Sequence, residues 1–328
     1  MSPDTRRLGW HALVAVIASA GLLALLVQLA GAAAFWDQAG AIEWTWIAIA
    51  GALSLLLPIL RGLRFVSAMP RVSLALMTAV VGVQNFMARI MPFRAGELAL
   101  PYLLAKRSAE TSGRSLVMLI WLRLMDAWFL AGVFAIGLVL HVSDADQTLF
   151  WYAVGAFGAL SMALFWLRKG LRGLFRILAF GAALIGLDRV GRVERFLAHS
   201  MDAADAVDEL GVGQRGAAVV WTMAVWALQF AIFTTILKAY AVEVSPLDVV
   251  VGVSLAQLAA ALPLPSVGSV GTHEVGWVVG FGFVGVERTA AVVTGVAAQL
   301  FTLVFAGLVA AIAYVYLRRD RPTVGAAS

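Results

Sequence analysis

Residues 72–105 read VSLALMTAVVGVQNFMARIMPFRAGELALPYLLA, with Arg71 before them and Lys106 and Arg107 after. The stretch is apolar enough to enter a bilayer. Basic residues mark cytoplasmic flanks, so charges at both ends place both ends on one side of the membrane. A single crossing does not satisfy that condition, whereas a re-entrant hairpin broken at Pro92 and Gly96 does. Residues 248–287 repeat the pattern with acidic flanks, Asp248 and Glu287, and break in the middle at Pro263, Pro265, Gly268 and Gly271. This second hairpin is expected to enter from the opposite face. Ser245, Pro246 and Asp248 predict its helical start as N-cap, first-turn and capping-box residues.

Outward from these segments, the sequence is membrane-like throughout. Of its 328 residues, 62% are hydrophobic and 13% charged, where a soluble domain is nearer half and a quarter. Mean hydropathy is +0.92. Disorder, collagen, a disulfide scaffold and nucleic-acid binding are excluded; there is no cysteine, and the net charge of +5 is small for so apolar a chain. A spanning helix needs about 20 apolar residues. Six such runs occur, at about 10–34, 44–60, 115–140, 148–167, 216–240 and 289–317.

With a cytoplasmic N-terminus, Arg6, Arg7, Arg61, Arg64, Arg71, Lys106, Arg107, Arg114, the basic residues between 168 and 215, Arg318, Arg319 and Arg321 all fall inside. Lys238 and Arg288 alone fall outside, among Asp37, Glu43, Asp144, Asp146, Glu243, Asp248 and Glu287. Both termini are therefore expected in the cytoplasm of a multi-pass protein of the cell membrane. Residues 171–215 read as a cytoplasmic, interfacial linker, with 171–187 either lying at the interface or crossing. Within it, residues 211–216 match G-x-G-x-x-G without the preceding strand that a dinucleotide fold requires.

The fold class expected is all-α: a polytopic membrane protein of about six spanning helices plus two re-entrant hairpins. The whole chain, 1–328, reads as one transmembrane domain built from two inverted repeats, about 10–140 and 148–317. Arg123 and Asp126 lie 26 and 29 residues after Glu97, while Gln299 and Thr302 lie 25 and 28 after Glu274. Inverted repeats with broken helices place a transporter's binding site between the repeats.

Ionisable groups inside lipid face a cavity or one another. Arg89, Arg94, Glu97, Arg123 and Asp126 are such groups. Arg123 and Asp126, one turn apart, are expected to pair, with Asp126 holding the helix to the hairpin and Arg123 keeping donors for a phosphate. Arg94 either joins that cluster or snorkels to the interface. Asn85 either lines the cavity or satisfies a freed carbonyl. His273 and Glu274 have no metal-ligand spacing and read as a substrate contact or a gate pair with an arginine of the other repeat. No metal or cofactor is expected.

Residues 85–126, with Pro92-Phe93-Arg94-Ala95-Gly96-Glu97 and Trp121-Leu122-Arg123-Leu124-Met125-Asp126, resemble the transmembrane region of lysylphosphatidylglycerol synthases and the flippase-like proteins related to it. Residues 265–274 resemble that family's second motif, a Pro/Gly-rich break ending in Glu. The resemblance implies a flippase or transporter for a phosphate-containing lipid, whether aminoacylated, glycosylated or polyprenyl-linked, with Asn85, Arg89, Arg94, Glu97, Arg123, Asp126, His273, Glu274 and Gln299 as substrate-binding candidates. Gln299 stands where the family commonly has Arg. The expected partner is a membrane lipid with an anionic headgroup, besides a second copy of the chain or a lipid-synthesis enzyme. Because the chain stops soon after its last apolar run, no aminoacyl-transfer domain and no synthase activity are expected. The alternatives are an intramembrane lipid-modifying enzyme using Glu97 or Glu274, and a non-catalytic membrane partner of a glycosyltransferase.

Overall fold

A computed structural model describes residues 32–91, 94–141, 210–261 and 271–319, with isolated positions at 28 and between 151 and 177. Among them the chain is helical, without strands. In order come α1 (Ala32–Gly40), α2 (Trp44–Ala68), α3 (Leu74–Ile90), a 3-10 turn (Ala95–Leu98), α4 (Ala99–Arg107), α5 (Ser112–His141), α6 (Val212–Ala239), α7 (Pro246–Ala261), α8 (Thr272–Phe283) and α9 (Arg288–Arg319). Most of the first and fourth apolar runs and of the linker lies outside the described residues, as do Pro92, Phe93 and residues 262–270.

Among the described residues four helices, α2, α5, α6 and α9, are long and apolar enough to cross a membrane. The protein is a polytopic membrane protein. At 1.5 Å per residue, the 25 residues of α2 reach about 38 Å, beyond the ~30 Å hydrocarbon core. The 17, 16 and 12 residues of α3, α7 and α8 give only about 26, 24 and 18 Å. Each of these shorter helices is paired back on itself: α3 with the 3-10 turn and α4, α7 with α8.

Caps fix where the short helices begin. Ser73 Oγ accepts from the Leu76 N–H at 3.4 Å. At α7, Asp248 N–H donates to Ser245 Oγ at 3.2 Å, and Ser245 N–H and Oγ–H donate to the Asp248 carboxylate at 3.2 and 2.7 Å. This is the reciprocal cap that the sequence predicts. Glycines then allow the limbs to approach backbone to backbone. A Cβ on Gly280 would lie 2.6 Å from the Gly252 carbonyl oxygen, and one on Gly276 would lie 2.9 Å from the Ala256 Cα.

The first hairpin turns still more tightly. Arg94 holds φ +55°, in the left-handed region, and the chain then doubles back so closely that a Gly96 Cβ would sit 2.1 Å from the Met87 carbonyl. Gly96→Ala is therefore expected to abolish a monodisperse peak in size-exclusion chromatography. Gly40→Ala, at a position with open space around the added carbon, is expected to leave it unchanged.

Packing between elements has a two-fold pattern. Helices α2 and α6 lie against each other antiparallel, linked by Glu43 N–H to Ala239 O at one end and by Arg61 to Gln229 farther along. The α3 limb packs on α9, with Gly82 against Val309 and Ala313; the α7 limb packs on α5, with Gly137 against Val251 and Leu247. Each hairpin thus lies along the long helix that follows the other hairpin.

One boundary differs from the sequence reading. The second run was expected to end at residue 60, with Arg61 and Arg64 in a cytoplasmic loop. Instead α2 continues to Ala68, and Arg64 is 4% exposed. A carboxylate on α5 receives its charge, so the helix has no need to end where the arginines begin.

Candidate functional site

The site is built on four long helices and the two hairpins. Asp126, on α5, is 7% exposed and accepts from Arg64 of α2 through both carboxylate oxygens; the Nη2 to Oδ2 distance is 3.2 Å. The indole N–H of Trp226, from α6, donates to the same carboxylate at 2.9 Å. A bidentate guanidinium and an indole thereby fasten three helices through one buried acid.

Arg123, one turn earlier on α5, faces the first hairpin. Its Nε and Nη2 reach the Glu97 carboxylate at 3.3 and 3.1 Å, while Asp126 lies 3.8 Å from Nη1. The expected Arg123–Asp126 pair is present as a long contact, and the main partners are different. Asp126 turns to Arg64, and Arg123 turns to Glu97. Glu97 also receives Arg94 at 3.2 Å.

The hairpins meet through Arg94, whose Nη1 donates to the Ala260 carbonyl at 3.1 Å, in the last turn of α7. A guanidinium at a helix C-terminus is favoured by the partial negative charge there. Of the two alternatives for Arg94, the structure has it inside the cluster.

Two arginines that border the site, Arg61 and Arg89, have no ion pair among the described residues. Arg61 donates to the side-chain carbonyls of Asn85 at 2.6 Å and Gln229 at 3.3 Å. Arg89 donates to the Thr302 hydroxyl of α9 at 3.2 Å, and its buried Nε has no hydrogen-bond partner among the described residues.

His273 and Glu274 behave differently from one another. His273 packs among Phe233 and Trp277, at ring distances of 6.2 and 5.5 Å, and its buried Nδ1 has no hydrogen-bond partner among the described residues. Glu274 is 1% exposed and accepts from the Gly271 N–H at 2.6 Å, closing the first turn of α8. Among the described residues it makes no ion pair with an arginine; its visible work is capping.

Asn85, Arg89, Arg94, Arg123, Asp126, His273 and Gln299 all border one cavity, together with Arg61, Trp226, Gln229 and Gln257. Residues 12–310 match the family described as the lysylphosphatidylglycerol synthase TM region. The chain belongs to this family. No curated protein and no solved structure matches it. Family membership ties the chain to membrane lipids, and the cavity's chemistry suits that setting.

In this lysylphosphatidylglycerol synthase-type membrane region, Arg61, Arg64, Arg89, Arg94 and Arg123 gather around the carboxylates of Glu97 and Asp126. Five guanidiniums against two carboxylates leave a formal excess of three positive charges. The cavity itself is about 70 Å³. That is room for a few waters at about 10–15 Å³ each, well short of the ~300 Å³ of a small ligand pocket. The arginines are therefore close-packed around a narrow polar space.

Sequence reasoning missed Arg61, Arg64, Trp226, Gln229 and Gln257 as members of this site. Gln229 carried a signal, being a lone amide in the apolar interior of α6. Arg61 and Arg64, three residues apart on an apolar run, carried another, but their position at its end reads equally well as an interfacial flank.

Proposed function

We propose that this chain is a lipid translocase of the cell membrane, moving a phosphate-bearing lipid between leaflets, with both termini in the cytoplasm. The observation that carries the reading is that Arg61 and Arg89, without an ion pair among the described residues, direct their hydrogen bonds to neutral oxygens within a cavity enclosed by apolar helices. Charged side chains cost several kcal/mol inside a bilayer and mark substrate paths. An anion that offers oxygens to both guanidiniums replaces weaker neutral acceptors with charge-assisted bonds.

In this mechanism Arg64 and Asp126 form the fixed part, and Arg61, Arg89 and Arg123 bind phosphate. The bonds of Arg94 and Arg123 to Glu97, and of Arg94 to Ala260, close the cavity between the hairpins. Their exchange for bonds to phosphate lets the hairpins separate as the halves rock, while the apolar tails remain outside the polar cavity. Transport rather than catalysis is the favoured activity, because Glu97 and Asp126 are both engaged by arginine and Glu274 by a backbone amide.

The test is reconstitution in liposomes with fluorescent phosphatidylglycerol, scored by how fast the inner-leaflet label becomes accessible to an external quencher. Wild-type protein is expected to exchange the leaflets without altering the lipid. Arg123→Ala and Glu97→Gln are each expected to slow exchange about tenfold or more, as loss of a charge-assisted bond predicts. Wild-type rates in both variants overturn the assignment; chemical conversion of the lipid points instead to an enzyme.

A further inference from the structure

We infer that the apolar tail of the transported lipid binds in a groove between α2, α3 and α9 that leads from the bilayer directly to Arg89. The inference deepens the translocase reading and rests on it in one respect, that the anion bound by the arginines is a lipid phosphate. The groove has a volume of about 730 Å³, with walls formed by Leu55 and Ile59, Ala75 and Thr78, and Ile312 and Tyr316. Thr78 and Tyr316 supply its few polar atoms.

Continuity identifies the occupant. Pro58 and Val309 line the groove and also line a neck of about 20 Å³, whose other walls include Ser54, Asn85, Arg89 and Thr302. Asn85, Arg89 and Gln229 then belong to both the neck and the arginine cavity. Apolar groove, a neck of mixed polarity with room for about one water, and cationic cavity thus adjoin in that order, and a lipid has a matching order of parts: tail, polar linkage, phosphate. Pro58 adds a feature at the junction. Lacking an N–H, it withholds the helical donor from the Ser54 carbonyl, which leaves an acceptor for a hydroxyl or ammonium beside the phosphate. An anion without a tail would have to cross hydrocarbon to reach Arg89 from this side, whereas a lipid brings its phosphate sideways at little cost.

The experiment uses the full chain in phosphatidylcholine vesicles containing phosphatidylglycerol with a photoactivatable group in one acyl chain. Cross-links are expected to concentrate on the groove faces of α2, α3 and α9, about tenfold above Val220, which is 61% exposed on α6. Arg89→Ala is expected to erase that enrichment. Ala75→Trp, which fills the groove without touching an arginine, is expected to lose the enrichment and slow translocation about tenfold, while Val220→Trp does neither.

Even labelling over all lipid-facing surfaces, equal enrichment with a phosphate-free diacylglycerol carrying the same group, or cross-links joining two copies of the chain through the groove would each overturn the inference. So would an Ala75→Trp protein that translocates and labels like wild type, even where Arg89→Ala abolishes transport and upholds the translocase. Conversely, Arg89-dependent labelling of the groove in a protein that moves no lipid upholds the binding site and removes the transport reading.

Discussion

Asp126→Ala is expected to destabilise the protein by about 3–5 kcal/mol, the usual cost of leaving one partner of a buried ion pair alone. The carboxylate joins α2 to α5 through Arg64 and α6 to α5 through Trp226. Removing it strands the Arg64 guanidinium, which is 4% exposed. Denaturation in mixed micelles with increasing SDS measures the effect. Arg64→Leu combined with Asp126→Leu is expected to recover most of the loss, because an apolar pair of similar volume needs no compensating charge. If Asp126→Ala unfolds at the wild-type SDS fraction, the buried pair does not hold these helices together.

Arg89→Ala is expected to have the opposite signature: stability close to wild type and translocation slowed roughly 30- to 150-fold, corresponding to a lost charged hydrogen bond of about 2–3 kcal/mol. The reason lies in the company each arginine keeps. Arg64 is bound on both sides of a carboxylate, whereas Arg89 rests on one hydroxyl, that of Thr302, with its Nε unpartnered. Taking Arg89 away therefore removes little from the fold and much from the attraction for an anion. Arg89→Lys is expected to recover part of the rate, since it restores the charge without the planar fork. Liposome exchange rates, set beside the SDS midpoints, separate the two behaviours; an Arg89→Ala protein that transports normally removes Arg89 from the phosphate site.

Much of the architecture is written locally. The apolar runs beginning near positions 44, 115, 216 and 289 became α2, α5, α6 and α9, because length and hydropathy suffice to define a spanning helix. Ser245 and Asp248 announced the start of α7 through a cap made within four residues. The end of α2 was not legible in this way. Its continuation through Arg61 and Arg64 depends on Asp126, 62 residues beyond Arg64, and no local pattern reports such a partner. The start of α6 lies at Val212, four residues before its apolar run, where Gln214 accepts from the Gly211 N–H and holds the first turn.

The membership of the site was partly legible for the same kind of reason. Arg89, Arg123 and Asp126 stand out as charges within apolar sequence, and all three border the cavity. Their pairing was not legible. Spacing along one helix favours Arg123 with Asp126, yet the folded chain offers Asp126 a better partner from α2 and gives Arg123 to Glu97.

The sequence by itself determined that this protein lives in lipid, that its long helices cross it, and that isolated charges must gather inside. Each of those follows from the cost of exposing polar groups to hydrocarbon, a cost set residue by residue. The tertiary structure alone decided which arginines are neutralised and which are left to attract an anion. That choice depends on distances between helices far apart in the chain, where a difference of less than 1 Å separates the Arg123–Glu97 contact at 3.1 Å from the Arg123–Asp126 contact at 3.8 Å.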